Sequence, residues 1–351
     1  MNHPRRYEAL QAMLAEGLEK HESLKSLFGG AGDAFWFWAL AEGRETEPLL
    51  RQILPDMPPP QIQANFTGRS GRPALREAYE IYRLFKRLAK RHGKALDRCE
   101  RILDFGCGWG RILRFFLKDV DEANAHGVDC YGEMIDLCRS QRLRGRCEVT
   151  PILPPTRFPD GHFDVIYLYS VFSHLSEAAH LAWLREFHRI LKPGGLVIAT
   201  TRPRNCIEIC AALNRKRSVN DWQRGAALSF SDPAQALADY DAGRFVHSPT
   251  GGGGCLDANF YGESCISEKY ARREWTRIFP EIEYLPVWRH FAFDQNVVVA
   301  IKGGGDGRPA GKKGRGAAGL RLASDLARAA GLVAARTIGK FAAPFSAAEN
   351  G

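Results

Sequence analysis

Leu103-Asp104-Phe105-Gly106-Cys107-Gly108-Trp109-Gly110-Arg111 decides the reading of this 351-residue chain. The apolar run leading into it from Arg101 ends in a carboxylate, and three glycines at alternate positions then turn the backbone into a segment of helical pattern near 110–118. Glycine lets main chain approach a ligand closely, and a helix N-terminus presents unpaired N–H groups with a positive dipole. A strand, a glycine turn and a helix in that order predict a ligand cradle at the carboxyl edge of a parallel sheet.

Working outward, short apolar runs at 101–105, 124–129, 147–152, 163–169 and 195–201 alternate with helical spacing near 132–142 and 177–191. The last helix is stopped by Lys192-Pro193-Gly194-Gly195. This is the pattern of β-α-β units, and its solution is an α/β, doubly wound, mostly parallel sheet. The second run ends at Asp129, about 20 residues past the turn, where a carboxylate accepts both ribose hydroxyls of an adenosine. A nicotinamide dinucleotide competes for such a site and loses on two counts. The glycines fall at 106, 108 and 110 rather than in the G-x-G-x-x-G order, and Asp104 would oppose a pyrophosphate. The same carboxylate suits a ligand that carries an ammonium group.

Four stretches, LDFGCGWGRILRFF, HGVDCYGEMIDLCR, FPDGHFDVIYLYSVFSHL and WLREFHRILKPGGLVIAT, resemble in sequence and order the motifs of class I S-adenosylmethionine-dependent methyltransferases, over about residues 101–201. The resemblance is closest to a bacterial group that modifies small molecules and glycans. It implies a Rossmann-like seven-stranded sheet with an antiparallel last strand, which the late apolar runs 282–288 and 296–301 can supply. It also implies S-adenosylmethionine as cofactor. Asp104 then serves the amino group, Phe105, Gly106, Cys107, Gly108 and Gly110 give the methionine part its turn and room, and Asp129 holds the ribose. Cys130 and Tyr131 flank the adenine, while Tyr169 and Ser170 line the floor near the sulfonium. Many relatives place an acidic residue after the third strand; here that segment reads Thr150-Pro151-Ile152-Leu153-Pro154-Pro155-Thr156, so backbone atoms of Ile152 or Leu153 are expected to substitute.

On the acceptor side, His174 follows the fourth strand, where a histidine removes a proton from a hydroxyl; a helix-packing histidine is the alternative. His247 and His290 are weaker candidates. Residues 203–275 break the β-α-β pattern and read as an insertion that forms a substrate lid before the last two strands. It includes a Gly251–Gly254 run and Cys255–Cys265, in which Tyr261 and Glu263 are expected to meet the acceptor, a purely structural hairpin being the alternative. Arg69 and Arg72 could reach a carboxylate or an anionic substrate. No metal is expected, because the histidines lack zinc-protease spacing and the nine cysteines contain no C-x-x-C pair.

Residues 1–70 read as an N-terminal helical cap, whose Phe35-Trp36-Phe37-Trp38 cluster packs a core or lines a substrate site. Residues 71–202 carry the methyltransferase core, and 276–302 hold its last two strands. From Lys302 onward the chain accounts for +6 of the formal +9 charge, so the basic excess belongs mainly to a glycine-rich, low-complexity tail, 303–351. That tail is expected to be disordered up to a basic, weakly amphipathic helix, read either as a solvated tail that docks nowhere or as a segment in weak contact with a membrane surface or partner. The N-terminus lacks secretory features and no run is long enough to span a bilayer, so a cytoplasmic protein with reduced thiols is expected. A polar small molecule, sugar or glycan terminus is the expected acceptor for O- or N-methylation. RNA methylation is a rival, disfavoured because the charge lies in the tail; a non-catalytic cofactor-binding scaffold is the third reading.

Overall fold

The computed structural model describes residues 3–215, 227–250, 256–286 and 295–304. The glycine run 251–254, His290 and the tail beyond residue 304 lie outside them.

Among the described residues nine strands form: β1 (Ile102–Phe105), β2 (Ala125–Asp129), β3 (Arg146–Val149), β4 (Phe163–Leu168), β5 (Leu191–Thr201), β6 (Val246–Ser248), β7 (Glu263–Cys265), β8 (Glu281–Leu285) and β9 (Asn296–Ile301). Seven make one sheet in the order β3-β2-β1-β4-β5-β9-β8, in which β9 runs opposite to the other six strands. This is the expected doubly wound, mostly parallel Rossmann-like sheet. β1, β2, β4 and most of β5 are buried along their whole length because helices cover both faces. β6 and β7 pair as a separate antiparallel ribbon within the insertion.

Three boundaries differ from the sequence expectation. β3 stops at Val149 instead of 152, just before Pro151, which has no N–H for the ladder. Lys192-Pro193-Gly194-Gly195 does end the helix Glu177–Ile190, yet it stays within β5 as an irregularity where the pairing register shifts and Gly194 takes φ +70°. The helix after the glycine turn is only Leu113–Phe116, since Gly106, Gly108 and Gly110 all sit at positive φ and delay its start.

One sheet face is covered by the helix Gly71–Arg91, whose Leu75, Ala78, Tyr79, Tyr82, Phe85 and Leu88 repeat at three- and four-residue spacing and are buried. This helix shares one core with the N-terminal helices. Trp36 donates its indole N–H to the Phe115 carbonyl at 3.1 Å, and Phe37 packs on Tyr79 with ring centroids 4.9 Å apart. The 35–38 cluster is therefore core rather than substrate lining. A partly buried ionic group, Asp33 and Asp119 with Lys86, Lys118 and the Tyr82 hydroxyl, ties those helices to the sheet layer. The opposite face is packed by Phe105, Trp183, Phe187, Tyr270 and Trp275. His180 is wholly buried there and accepts a hydrogen bond from the Trp275 indole at 2.8 Å. Among the described residues no helix is long and apolar enough to cross a membrane, and the eight cysteines form no disulfide.

Candidate active site

A cavity of about 950 Å³ opens at the carboxyl ends of β1, β2, β4 and β5. One end is built by the glycine turn. The Gly106 and Cys107 amides donate to the Val128 carbonyl at 2.8 and 3.0 Å, which folds the loop back onto β2. A Cβ on Gly106 would stand 2.5 Å from Val171, whereas one on Gly108 would meet no protein atom, because that position faces open cavity. Asp129 accepts from the Gly108 amide through Oδ2 (2.9 Å) and from the Tyr131 amide through Oδ1 (3.0 Å). It thus shapes the loop as well as offering lone pairs to the cavity. Burial raises its carboxyl against the pull of those amides.

Asp104 is 2% exposed, and its Oδ2 has no hydrogen-bond partner. Burial, and next the neighbouring Cys147, raise its carboxyl well above the ordinary carboxylate range. An orphaned acceptor of this kind calls for a cationic donor from the ligand. Thr150 offers a second one: its hydroxyl is buried at the cavity wall without a partner, in the place where an acidic residue was missed after the third strand. These groups fit the ammonium, ribose and purine of S-adenosylmethionine.

Phe105, Cys107, Cys130, Tyr131, Ile152, Tyr169 and Ser170 also line the cavity. The Ile152 carbonyl accepts from the Trp183 indole at 3.2 Å. Leu153 does not line it: its side chain is half exposed outside the rim. Gly110 is a second correction. A Cβ there would lie 2.1 Å from Leu143, so this glycine permits close packing beneath the loop rather than room for the ligand. Ser170 holds φ +60°, a strained state for a residue with a side chain, stabilised by its amide bond to Thr200 at 2.8 Å and by the Ser173 and Gln295 side chains.

The other end is made by β4's exit and the insertion. The Gly262 and Ser264 amides donate to the carbonyls of His174 and Ser173, each at 2.8 Å, so β7 is strapped to the segment that carries His174. The His174 ring stacks on Tyr261 with centroids 4.9 Å apart and an 8° interplanar angle. Its Nδ1 lies 2.8 Å from the Gly262 carbonyl. A carbonyl only accepts, so Nδ1 carries the proton and Nε2 is the basic nitrogen. Burial, with Arg202 adding to it, pushes this imidazole down to about 4, and it is neutral at physiological pH. Tyr261 lines the cavity, but Glu263 does not. Glu263 instead pairs with Arg202 at 2.7 Å and approaches His174 Nδ1 at 3.6 Å; burial pushes its carboxyl up to about 7 against Arg202.

Arg69 stands at the rim, whereas Arg72 turns away to Glu42 at 2.5 Å. His247 bonds Ser264 and does not reach the cavity. Two charged cavity residues, Glu77 and Arg202, were not anticipated. Glu77 accepts from the Tyr169 hydroxyl at 2.9 Å and faces Arg111 at 3.5 Å, and Arg202 follows directly on β5. A carboxylate on the apolar face of the helix Gly71–Arg91, and an arginine at a strand's carboxyl end, were the available signals. The fold also brings the sulfurs of Cys107, Cys138 and Cys147 within 4.8 Å of one another, a convergence that their spacing along the chain did not suggest.

Residues 102–195 match the family described as Methyltransferase domain. An uncharacterized methyltransferase of Schizosaccharomyces pombe is 33% identical over 114 residues, 30% of this chain and 40% of that protein. Phosphoethanolamine N-methyltransferase 3 of Arabidopsis thaliana is 31% identical over 104 residues, 29% of this chain and 21% of that protein. The 2-methyl-6-phytyl-1,4-hydroquinone methyltransferase of Synechocystis is 29% identical over 134 residues, 35% of this chain and 36% of that protein. The chain spans less than half the length of these curated relatives.

Proposed function

We propose that this chain, whose residues 102–195 match a methyltransferase domain, is a class I S-adenosylmethionine-dependent methyltransferase that methylates an oxygen or nitrogen of a polar small molecule, sugar or glycan terminus. The observation that carries this reading is the two-ended cavity: unpaired acidic and hydroxyl groups at the glycine turn, and a neutral histidine with its basic nitrogen free at the other end. Its volume is at the upper end for small-molecule sites, which leaves space for an acceptor beside a cofactor. S-adenosylmethionine supplies, when bound, a methyl group on a cationic sulfonium.

Asp104 and Asp129 would hold the cofactor by its ammonium and its ribose, and the loop at 106–108 would keep its backbone clear of it. Tyr169 and Ser170 form the floor between the two ends. His174 Nε2 would take the acceptor's proton as the acceptor gains the methyl group and the carbon–sulfur bond breaks to leave a neutral thioether, while the Gly262 carbonyl keeps Nδ1 protonated and the ring fixed. Arg202 and the Tyr261 hydroxyl, which burial keeps protonated, present donors to a polar acceptor. The mixed polarity of this wall favours a compact polar acceptor over a polyanion.

The test supplies methyl-labelled cofactor with a panel of polar alcohols, amines and saccharides. Label is expected in a polar product with the wild type, and His174→Asn should lower kcat by about 10²–10⁴ for a hydroxyl acceptor. Cofactor binding with no label transferred to any polar acceptor would favour the scaffold reading.

A further inference from the structure

We propose that Cys107, Cys138 and Cys147 form a three-sulfur site for a soft monovalent ion, cuprous copper, beneath the cofactor loop. The three sulfurs come from the glycine turn, the helix Gly132–Ser140 and β3, and all lie within 4.8 Å of one another. Space is made for them by glycines. A Cβ on Gly127 would meet the Cys107 sulfur at 3.0 Å, and one on Gly110 would meet the Cys138 sulfur at 3.4 Å. Cys107 and Cys138 point at the same Gly108 carbonyl, at 3.5 and 3.3 Å. Cys138 is wholly buried, Cys107 nearly so, and half-buried Cys147 supplies the way in.

An independent observation concerns charge. Arg114 is 0% exposed, yet none of the ion pairs among the described residues includes it. It donates only to neutral acceptors: the Gly110 and Asp56 carbonyls, the Met57 thioether and the Gln141 amide. A buried guanidinium without an anion is costly. Its Nε sits 3.3 Å from the carbonyl of Gly110, the glycine against which Cys138 packs. Each sulfur that coordinates gives up its proton to solvent, so an occupied site is anionic and supplies the missing counter-charge. Thiolates select soft ions, and structural zinc takes four ligands. Among the described residues no fourth His, Cys, Asp or Glu joins the group, and three sulfurs alone suit cuprous copper. The ion would hold Cys107 and thereby the loop whose next amide is bonded to Asp129.

The experiment titrates the reduced full-length chain with Cu(I) anaerobically against a chromophoric chelator, and records X-ray absorption on the loaded protein. One chelator-resistant ion with three sulfur neighbours is expected, together with a higher unfolding temperature. The ion should be lost or held at least tenfold more weakly in Cys138→Ser and, at the half-buried position, in Cys147→Ala. Circular dichroism establishes that each variant is folded. An ion retained equally by both folded variants, or a shell with nitrogen ligands, overturns the proposal, as does failure of the wild type to hold copper against the chelator.

Discussion

Replacing Asp104 by asparagine should move folding and binding in opposite directions. The carboxylate is buried, one oxygen has no partner, and its folded pKa is raised. A raised acid binds its proton more tightly in the native state than in the unfolded one. Its penalty therefore appears as pH rises above the unfolded value near 4 and grows until the native group ionises. At neutral pH the residue costs the fold stability. Asparagine has the same shape without the charge, so Asp104→Asn should hold or gain on the order of 1–2 kcal/mol, a melting temperature unchanged or a few degrees higher. A charge-assisted bond to the cofactor's ammonium is worth about 1.5–3 kcal/mol. Its loss should weaken S-adenosylmethionine and S-adenosylhomocysteine by roughly 10- to 150-fold. Calorimetric titration and thermal melts on the same samples measure both. A variant that melts lower yet binds both ligands normally would refute this reasoning.

Asp129→Ala removes the acceptor of the Gly108 and Tyr131 amides as well as the ribose contact, so calorimetry should show at least a tenfold loss of cofactor affinity, about 1.4 kcal/mol. Gly110→Ala places a Cβ 2.1 Å from Leu143 at φ +73°, and denaturant titration should show it about 2–4 kcal/mol less stable. His126 is buried edge-on to Phe158 and Phe163, and burial pushes it down to about 4. Because the unfolded chain takes up the proton first, the stability this histidine contributes is full above pH 6.5 and is lost as pH falls toward 4. His126→Phe should therefore shrink the stability difference between pH 7 and pH 5 by on the order of 1–2 kcal/mol; an unchanged difference counts against it. For transfer to a hydroxyl, the acid limb of the rate profile should lie well below 6.5, near 4, since His174 stays neutral to that point; a limb at 6.5 would assign the base elsewhere.

The parallel strands, the glycine turn and the carboxylate at the end of β2 could be read without coordinates because each is a local pattern. Apolar runs, helical spacing and alternate glycines concern neighbours along the chain, and the chirality of β-α-β units leaves few ways to assemble them. What crosses between elements was illegible. Glu77 and Arg111 meet Tyr169 only because the helix Gly71–Arg91 lies across that particular part of the sheet. Tyr261 and Glu263, two residues apart, were expected to share a role. The ribbon puts Tyr261 at the cavity, while Glu263 pairs with Arg202 outside the lining.

Spacing thus determined the layered sheet and the position of its ligand edge, while the resemblance of its motifs implied the cofactor that edge can hold. Tertiary structure alone decided which of three similar glycines faces the ligand, which nitrogen of His174 is basic, and that three distant cysteines converge under the loop. Local sequence restricts backbone geometry, but a side chain's partners depend on strand register, helix placement and the volume left by neighbours, which exist only after the chain has packed.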